Sequence, residues 1–455
     1  MEKRNTMDLT SGPVFRKLVI FVIPIILSGA LQQLYNAADS VVVGQFVGDS
    51  ALAAVGSTVA LTNLIVNLFV GLAVGANVVC ARYFGAGNRE GLYRAIHAGI
   101  ALALVAGVGL AVIGFSFAKP LLLMMGTPDT VIAQATLYMQ VCFLGSPFSM
   151  VYNFGAGILR AGGDTKRPLY ILTAAGLVNV ALNLFCVIVL KLGVLGVAIG
   201  TISSQLLSAF CVMRILIRSD SEFRFELKGL RFYKKETLSI IKVGVPAGLN
   251  GIMFSISNVI LQSTVNTYGD SAMAGIAAAG NIEIFMFIFL SSVEQGVVSF
   301  TAQNMGAGKL KRIDFVLRDA IIFGILGVAL LNALILPFQE PLLRVFTDGS
   351  SAISFGKIKL FMLCAYYFLY VPGMLCGGSL RGMGWSVTPA VINAVFICCA
   401  RIVWIYAFYP ANPTMKMLFY AYPISWALSM LAQATAYLIA RHKVNSIQHR
   451  EPLPG

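Results

Sequence analysis

Residues 157–168 read GILRAGGDTKRP, and residues 378–389 read GSLRGMGWSVTP. Gly, Leu, Arg, Gly and Pro recur in place, 221 residues apart. The same offset carries Gly48-Asp49-Ser50-Ala51 onto Gly269-Asp270-Ser271-Ala272, Gly85-Ala86-Gly87 onto Gly306-Ala307-Gly308, and Pro120-Leu121-Leu122 onto Pro341-Leu342-Leu343. With a slip of one residue, Pro24 meets Pro246, Gly29 meets Gly251 and Asn36 meets Asn258. One register held over so long a stretch marks a duplication.

The duplicated unit is apolar. Of 455 residues, 58% are hydrophobic and only 11% are charged, against about a quarter charged in a soluble domain. Long apolar runs alternate with short charged connectors, the pattern of a polytopic membrane protein. Twelve spans are expected, at roughly 17–39, 51–76, 94–117, 130–153, 168–190, 194–217, 238–262, 275–300, 317–337, 355–377, 388–409 and 417–440. Each has the ~20 apolar residues that cross about 30 Å of hydrocarbon. The ~10-residue alternating segments of a transmembrane barrel are absent from the sequence. Arg16, Lys17 and the small residues 28–30 resemble a secretory signal, but the duplication favours a retained first helix.

The formal net charge of +14 orients the chain. With the N-terminus in the cytoplasm, 26 Lys and Arg fall on the inner side, including Lys3, Arg4 and Arg450. Six fall outside: Lys119, Lys191, Arg344, Lys357, Lys359 and Lys416. This asymmetry places both termini inside and explains the basic balance without a nucleic-acid partner. The last cation, Arg401, lies within a span. The eight cysteines sit in or beside apolar segments without metal-ligand spacing and read as small buried hydrophobes. His97, His442 and His449 join no Cys or Ser motif, Gly85-x-Gly87 has no strand–turn–helix context, and no GxxxxGK[ST] occurs. An enzyme is not expected, nor any resident cofactor.

The domain reading is an N-lobe at 1–217 (spans one to six), a charged cytoplasmic linker at 218–237, a C-lobe at 238–440 (spans seven to twelve) and a cytoplasmic tail at 441–455. An even number of spans gives both copies the same orientation, so a pseudo-two-fold axis along the membrane normal is expected. The repeated phrase is then the cytoplasmic turn after spans four and ten. Its Arg marks the inner face, its glycines permit the turn and its Pro starts the next helix. Two lobes flanking a cleft suit alternating access.

Four intramembrane ionisable residues stand out: Asp39, Glu283, Glu294 and Arg401. Each costs about 2.5–3.5 kcal/mol on insertion scales and needs a reason. Gln32, Tyr35, Asn36 and Asp39 share one helical face in span one. Asn179 and Asn183, at i and i+4, share a face of span five, and Thr201 follows in span six. Carboxylate, amide and hydroxyl oxygens could hold a small hard cation, or Asp39 could hold a proton. An interfacial aspartate and asparagines joining helices explain the same residues. In the second half Leu261 stands opposite Asp39, and Asn250, Asn258, Gln262 and Asn266 line one stripe of span seven. Glu294, near the inner end of span eight, is expected to be solvated. Glu283 lies deeper and is expected to pair with Arg401. Met124, Met125, Phe285, Met286, Phe287, Tyr366, Tyr367 and Tyr370 read as packing, a minority of them as an adaptable cavity for flat organic cations.

The chain resembles the multidrug and toxic compound extrusion (MATE) family of cation-coupled exporters. PIILSGALQQLYNAADSVVVG (24–44), the two GAG turns and the paired LRAGGDTKRP and LRGMGWSVTP phrases carry the resemblance over nearly the whole length. It implies an antiporter driven by H⁺ or Na⁺, exporting amphipathic, cationic organic compounds as a monomer in the bacterial plasma membrane. It also implies that Tyr35, Asp39, Asn179, Asn183 and Thr201 are the cation-coupling residues. Some members carry a second acid where Asn183 stands, so tight Na⁺ binding is weakened and protons stay plausible. Gln32, Asn36, Asn250, Asn258, Gln262, Glu283, Met286 and Tyr370 are candidates to line a substrate cavity. The wider superfamily supplies the alternative, a flippase for lipid-linked precursors.

Overall fold

The structure, a computed structural model, describes residues 7–450. Lys3, Arg4 and residues 451–455 of the expected tail lie outside the described residues, as does the side chain of Arg450. No strand occurs among the described residues. Apolar runs in lipid must satisfy their backbone internally, and a helix does so within one segment.

In chain order the helices are α1 (Val14–Phe46), α2 (Asp49–Gly85), α3 (Arg89–Met124), α4 (Asp129–Leu144), α5 (Ser146–Ala161), α6 (Lys166–Leu184) and α7 (Val194–Ile217). Then come α8 (Lys234–Asn266), α9 (Asp270–Gly306), α10 (Leu310–Ile335), α11 (Gln339–Arg344), α12 (Ser350–Gly382), α13 (Val387–Asn393), α14 (Ala400–Val403), α15 (Met415–Phe419) and α16 (Ala421–Arg450). Nine of the described spans are long and apolar enough to cross a membrane, and a tenth forms if α4 and α5, bent by 46°, count as one. The bend falls at Gly145, where a Cβ would come within 2.4 Å of Gln205 Oε1. α2 and α10 stand where the second and ninth spans are expected.

Wider π turns interrupt two helices. Phe185–Val189 continues α6, and Ala394–Cys399 and Trp404–Phe408 flank α14. Such turns are frequent at functional sites.

The repeat is visible in the turns. Gly48 and Gly269, Gly87 and Gly308, and Gly163 and Gly384 all have φ between +65° and +110°, each pair at the sequence offset. In the opening phrase, φ is +84° at Gly163 and +86° at Gly384, a conformation glycine adopts without steric cost. The two turns then differ. Asp164 caps α6 by accepting from the backbone N–H of Lys166 (3.2 Å) and Arg167 (3.1 Å), whereas Trp385 occupies the matching place. Arg381 pairs with Glu294. Glu294 is therefore not simply solvated, because its carboxylate is turned into the bundle toward a guanidinium one helix away. Arg160 has Nε buried without a hydrogen-bond partner.

The chain forms two compact units. One comprises the segment ending at Asp8 with Ile23–Gly248, and the other comprises Leu9–Val22 with Leu249–Gly455. The division thus falls inside α1 and α8 and not in the 218–237 connector. Pro24 and Pro246 lie beside these two break points, where a proline removes one rung of the helical ladder. In the first unit Gly71 and Gly75 of α2 meet the backbone of α8 at Gly248, Gly244 and Ile240, where any Cβ would clash. Small residues let the helices approach this closely.

The connector is itself packed onto the first unit. Phe223 and Phe225 are buried, and Phe225 stacks on His97. His97 Nδ1 bonds the Tyr93 carbonyl oxygen (2.7 Å), and its Nε2 lies 3.0 Å from the backbone of Glu226. In the second unit the leading segment of residues 9–11 is held by α9 and α10. Leu9 N donates to Gln303 Oε1 (3.2 Å), and Arg312 donates to the Ser11 carbonyl oxygen (2.7 Å).

Candidate functional site

In the first unit, α1 and α6 bring Asp39, Asn179 and Asn183 together. Asn183 Nδ2 donates to Asp39 Oδ1 at 2.5 Å and to Asn179 Oδ1 at 3.4 Å. Both asparagines are buried, Asn183 completely. Asn183 Oδ1 is also buried and has no hydrogen-bond partner. Asp39 is half-buried. The result is one carboxylate and two amide oxygens within reach of one another, a donor set for a hard cation or a proton.

Neighbouring residues shape this pocket. A Cβ on Gly200 would stand 1.9 Å from Asn183 Oδ1, so glycine alone leaves room for that amide. The Tyr35 ring fills the space over Gly176, and its hydroxyl donates to the Thr173 carbonyl oxygen at 3.4 Å. Tyr35 therefore packs against α6 and fixes its approach to α1. The Thr201 hydroxyl donates to Val197 O at 3.0 Å, its own helix four residues earlier. Gln32 and Asn36 are exposed on α1. One turn beyond Asp39, the side chains of Val42, Val43, Val187, Val194 and Val197 form an apolar cluster with Tyr138. Nothing in the sequence marked Tyr138, because these partners come from three separate stretches, α1, the π turn after α6, and α7.

The second unit departs from the sequence reading. Glu283 forms its ion pair with Lys359, Nζ to Oε2 3.1 Å, and not with Arg401. Lys359 was expected on the outer surface but is buried at 8% exposure. Its place two turns inside α12 turns the ammonium toward α9, where it also approaches Ile276 O at 3.5 Å. Lys357 does project outward, to Glu340 (2.5 Å).

Arg401 is 1% exposed. Its Nε donates to Ser425 Oγ (3.1 Å), and its Nη1 donates to Ser257 Oγ (3.1 Å) and Asn258 Oδ1 (3.2 Å). The guanidinium lies over the Tyr422 ring at 4.2 Å. A second polar cluster lies one to two turns further in. Asn393 Nδ2 donates to Asn250 Oδ1 (2.8 Å), and Asn393 Oδ1 accepts from Ser429 (3.0 Å) and Gln433 (3.3 Å). Asn250 and Asn258 thus serve interhelical networks. Gln262 is exposed and bonds Asn266 along its own helix. Met286 is buried against Cys364 and does not line an open surface. Tyr370 stacks on Trp426, with centroids 5.3 Å apart and planes 27° apart. Among the described residues no group of three or more His, Cys, Asp or Glu could hold a metal ion.

Comparison with known proteins agrees with this architecture. "Probable multidrug resistance protein YoeA" of Bacillus subtilis is 28% identical, over 94% of both chains. The "FAD transporter" of Shewanella oneidensis is 25% identical, over 80% of this chain and 81% of its own. A crystal structure described as MATE in the bent conformation superposes with a TM-score of 0.89 at 22% identity, covering 99% of both chains, and shows the shared fold. The MatE family model matches twice, at residues 24–185 and 246–407, one match in each half of the duplication. The chain therefore belongs to the MatE family, the multidrug and toxic compound extrusion transporters, and is a multi-pass membrane protein.

Proposed function

We propose that this protein is an ion-coupled exporter of amphipathic organic solutes, working by alternating access. Inward movement of H⁺ or Na⁺ drives it, with Asp39, Asn179 and Asn183 as the coupling site and Tyr35 and Thr201 as its supports. The reading needs no resident cofactor and no catalytic residue, and it places the chain as a monomer in the bacterial plasma membrane with both termini cytoplasmic. The observation that carries it is the Asp39–Asn183 contact, because it sets a carboxylate beside a buried amide oxygen that has no partner. Binding a cation there neutralises the carboxylate and satisfies that oxygen, so the bound and free forms favour different helix packings. One charge moved down 100 mV supplies about 2.3 kcal/mol. Relatives named for multidrug resistance and for FAD support an organic cargo.

A flippase for lipid-linked precursors is the second reading. It gains from the buried Lys359, which with Arg401 makes two intramembrane cations in one unit. Proteoliposomes with an imposed H⁺ or Na⁺ gradient decide between the two. Uphill movement of a soluble dye that stops on Asp39→Asn supports the exporter. Gradient-independent lipid scrambling without dye movement refutes it.

A further inference from the structure

The second unit holds a polar pocket matching that of the first, with the sign of charge reversed. In the first unit the first span (α1) supplies the acid, Asp39, and the fifth span (α6) supplies neutral amides. In the second, the helix equivalent to the first supplies the neutral acceptor Asn258, and the helix equivalent to the fifth supplies a cation, Arg401. Both pockets lie next to π turns. Asn258 is the repeat partner of Asn36, one turn before Asp39.

Among the described residues Arg401 forms no ion pair with a carboxylate. The nearby acid, Glu283, is held by Lys359, so this buried cluster of one carboxylate and two cations carries an excess positive charge. Guanidinium does not lose its proton in proteins, and a buried charge without a counter-charge is expensive. Two donors in the cluster are also unmet. Arg401 Nη2 and Trp426 Nε1 are buried with no hydrogen-bond partner, and Trp426 is 2% exposed. Tyr422 joins them, its ring 4.2 Å from the guanidinium and 5.4 Å from the Trp426 ring. Buried donors left over in a native fold call for an absent acceptor. Here that acceptor should be negative, and the stacked rings of Tyr370 and Trp426 beside it favour a planar group.

We propose that the Arg401 pocket is an anion site that takes the carboxylate or phosphate of a planar organic solute. This rests on the export reading for its role, and it assigns the solute an acidic group where the sequence suggests a cationic one. Arg401 and Trp426 are buried in this conformation, so the anion enters only when the second unit opens.

Binding to the purified full-length protein tests this without any ion gradient. Riboflavin 5′-phosphate and riboflavin share one ring system and differ by the phosphate. A charge-assisted hydrogen bond predicts at least about tenfold tighter binding of the phosphate form. Arg401→Gln should abolish that preference while Arg401→Lys keeps part of it, and inorganic phosphate should compete. The binding is read at equilibrium with no ion gradient imposed, so failure of the coupling reading leaves this readout intact. Competition by phosphatidylglycerol but not phosphatidylcholine nanodiscs would assign the same anion site to a lipid headgroup. Equal binding of the two flavins overturns the proposal. So does a phosphate preference that survives in Arg401→Gln, or wild-type protein that takes up neither flavin nor phosphate.

Discussion

The clusters around Asp39 and Arg401 are built from corresponding spans of two copies of one design, yet they solve opposite problems. Around Asp39 the partners are amides, which can turn either oxygen or nitrogen toward the carboxylate and so tolerate a bound or an absent cation. Around Arg401 the partners are hydroxyls, an amide oxygen and an aromatic face, all suited to a permanent cation. One pocket can change its charge, and the other cannot. A duplicated scaffold therefore does not imply duplicated chemistry. The carboxylate among amides stands in one half, and the fixed charge stands in the other.

The sharpest way to break this contrast is to neutralise each pocket in turn. Asp39→Asn should cut the uphill accumulation ratio in proteoliposomes by about 5–150-fold, the range of 1–3 kcal/mol of coupling. Arg401→Gln should leave the dependence on the ion gradient in place while changing which solutes compete. Equal loss of ion dependence in both variants would erase the distinction.

The next effect is on stability in the second unit. Glu283→Gln strands Lys359 in a buried site, which should lower stability by about 3 kcal/mol, at the low end for broken buried pairs because both partners keep some exposure. The double replacement Glu283→Gln with Lys359→Met should recover most of that loss in thermal unfolding in detergent. If Arg401→Met rescues Glu283→Gln equally well, Arg401 and not Lys359 is the working partner.

A smaller effect should follow from shape alone in the first unit. Gly200→Ala pushes a methyl into Asn183 and should cost about 1–3 kcal/mol along with ion dependence. Gly109→Ala, with nothing within 4 Å, should be neutral or slightly stabilising, by up to about 1 kcal/mol. Smallest of all is Glu340→Gln. The Lys357 ammonium, with Arg344, holds this carboxyl below its usual range. Its contribution is present above the ordinary glutamate pKa and fades as pH falls through the lowered one. Partial exposure to solvent screens the pair, so the thermal midpoint at neutral pH should not move measurably.

Much of this was legible in the sequence for a simple reason. Membrane spans are read from composition, turns from glycine, and a duplication from register, and each is local or periodic along the chain. The offset between GILRAGGDTKRP and GSLRGMGWSVTP anticipated the paired glycines at positive φ and the double family match. Asp39, Asn179 and Asn183 were found because an intramembrane acid and an i, i+4 asparagine pair are conspicuous in apolar surroundings. Tertiary structure alone decided who pairs with whom. Glu283 took Lys359 because α9 and α12 pack together, a choice between two cations that spacing cannot make. Arg401 was left to hydroxyls and rings because its neighbours come from α8 and α16, more than a hundred residues before it and some twenty after it. Helical periodicity fixes which residues share a face. Only packing fixes what that face meets.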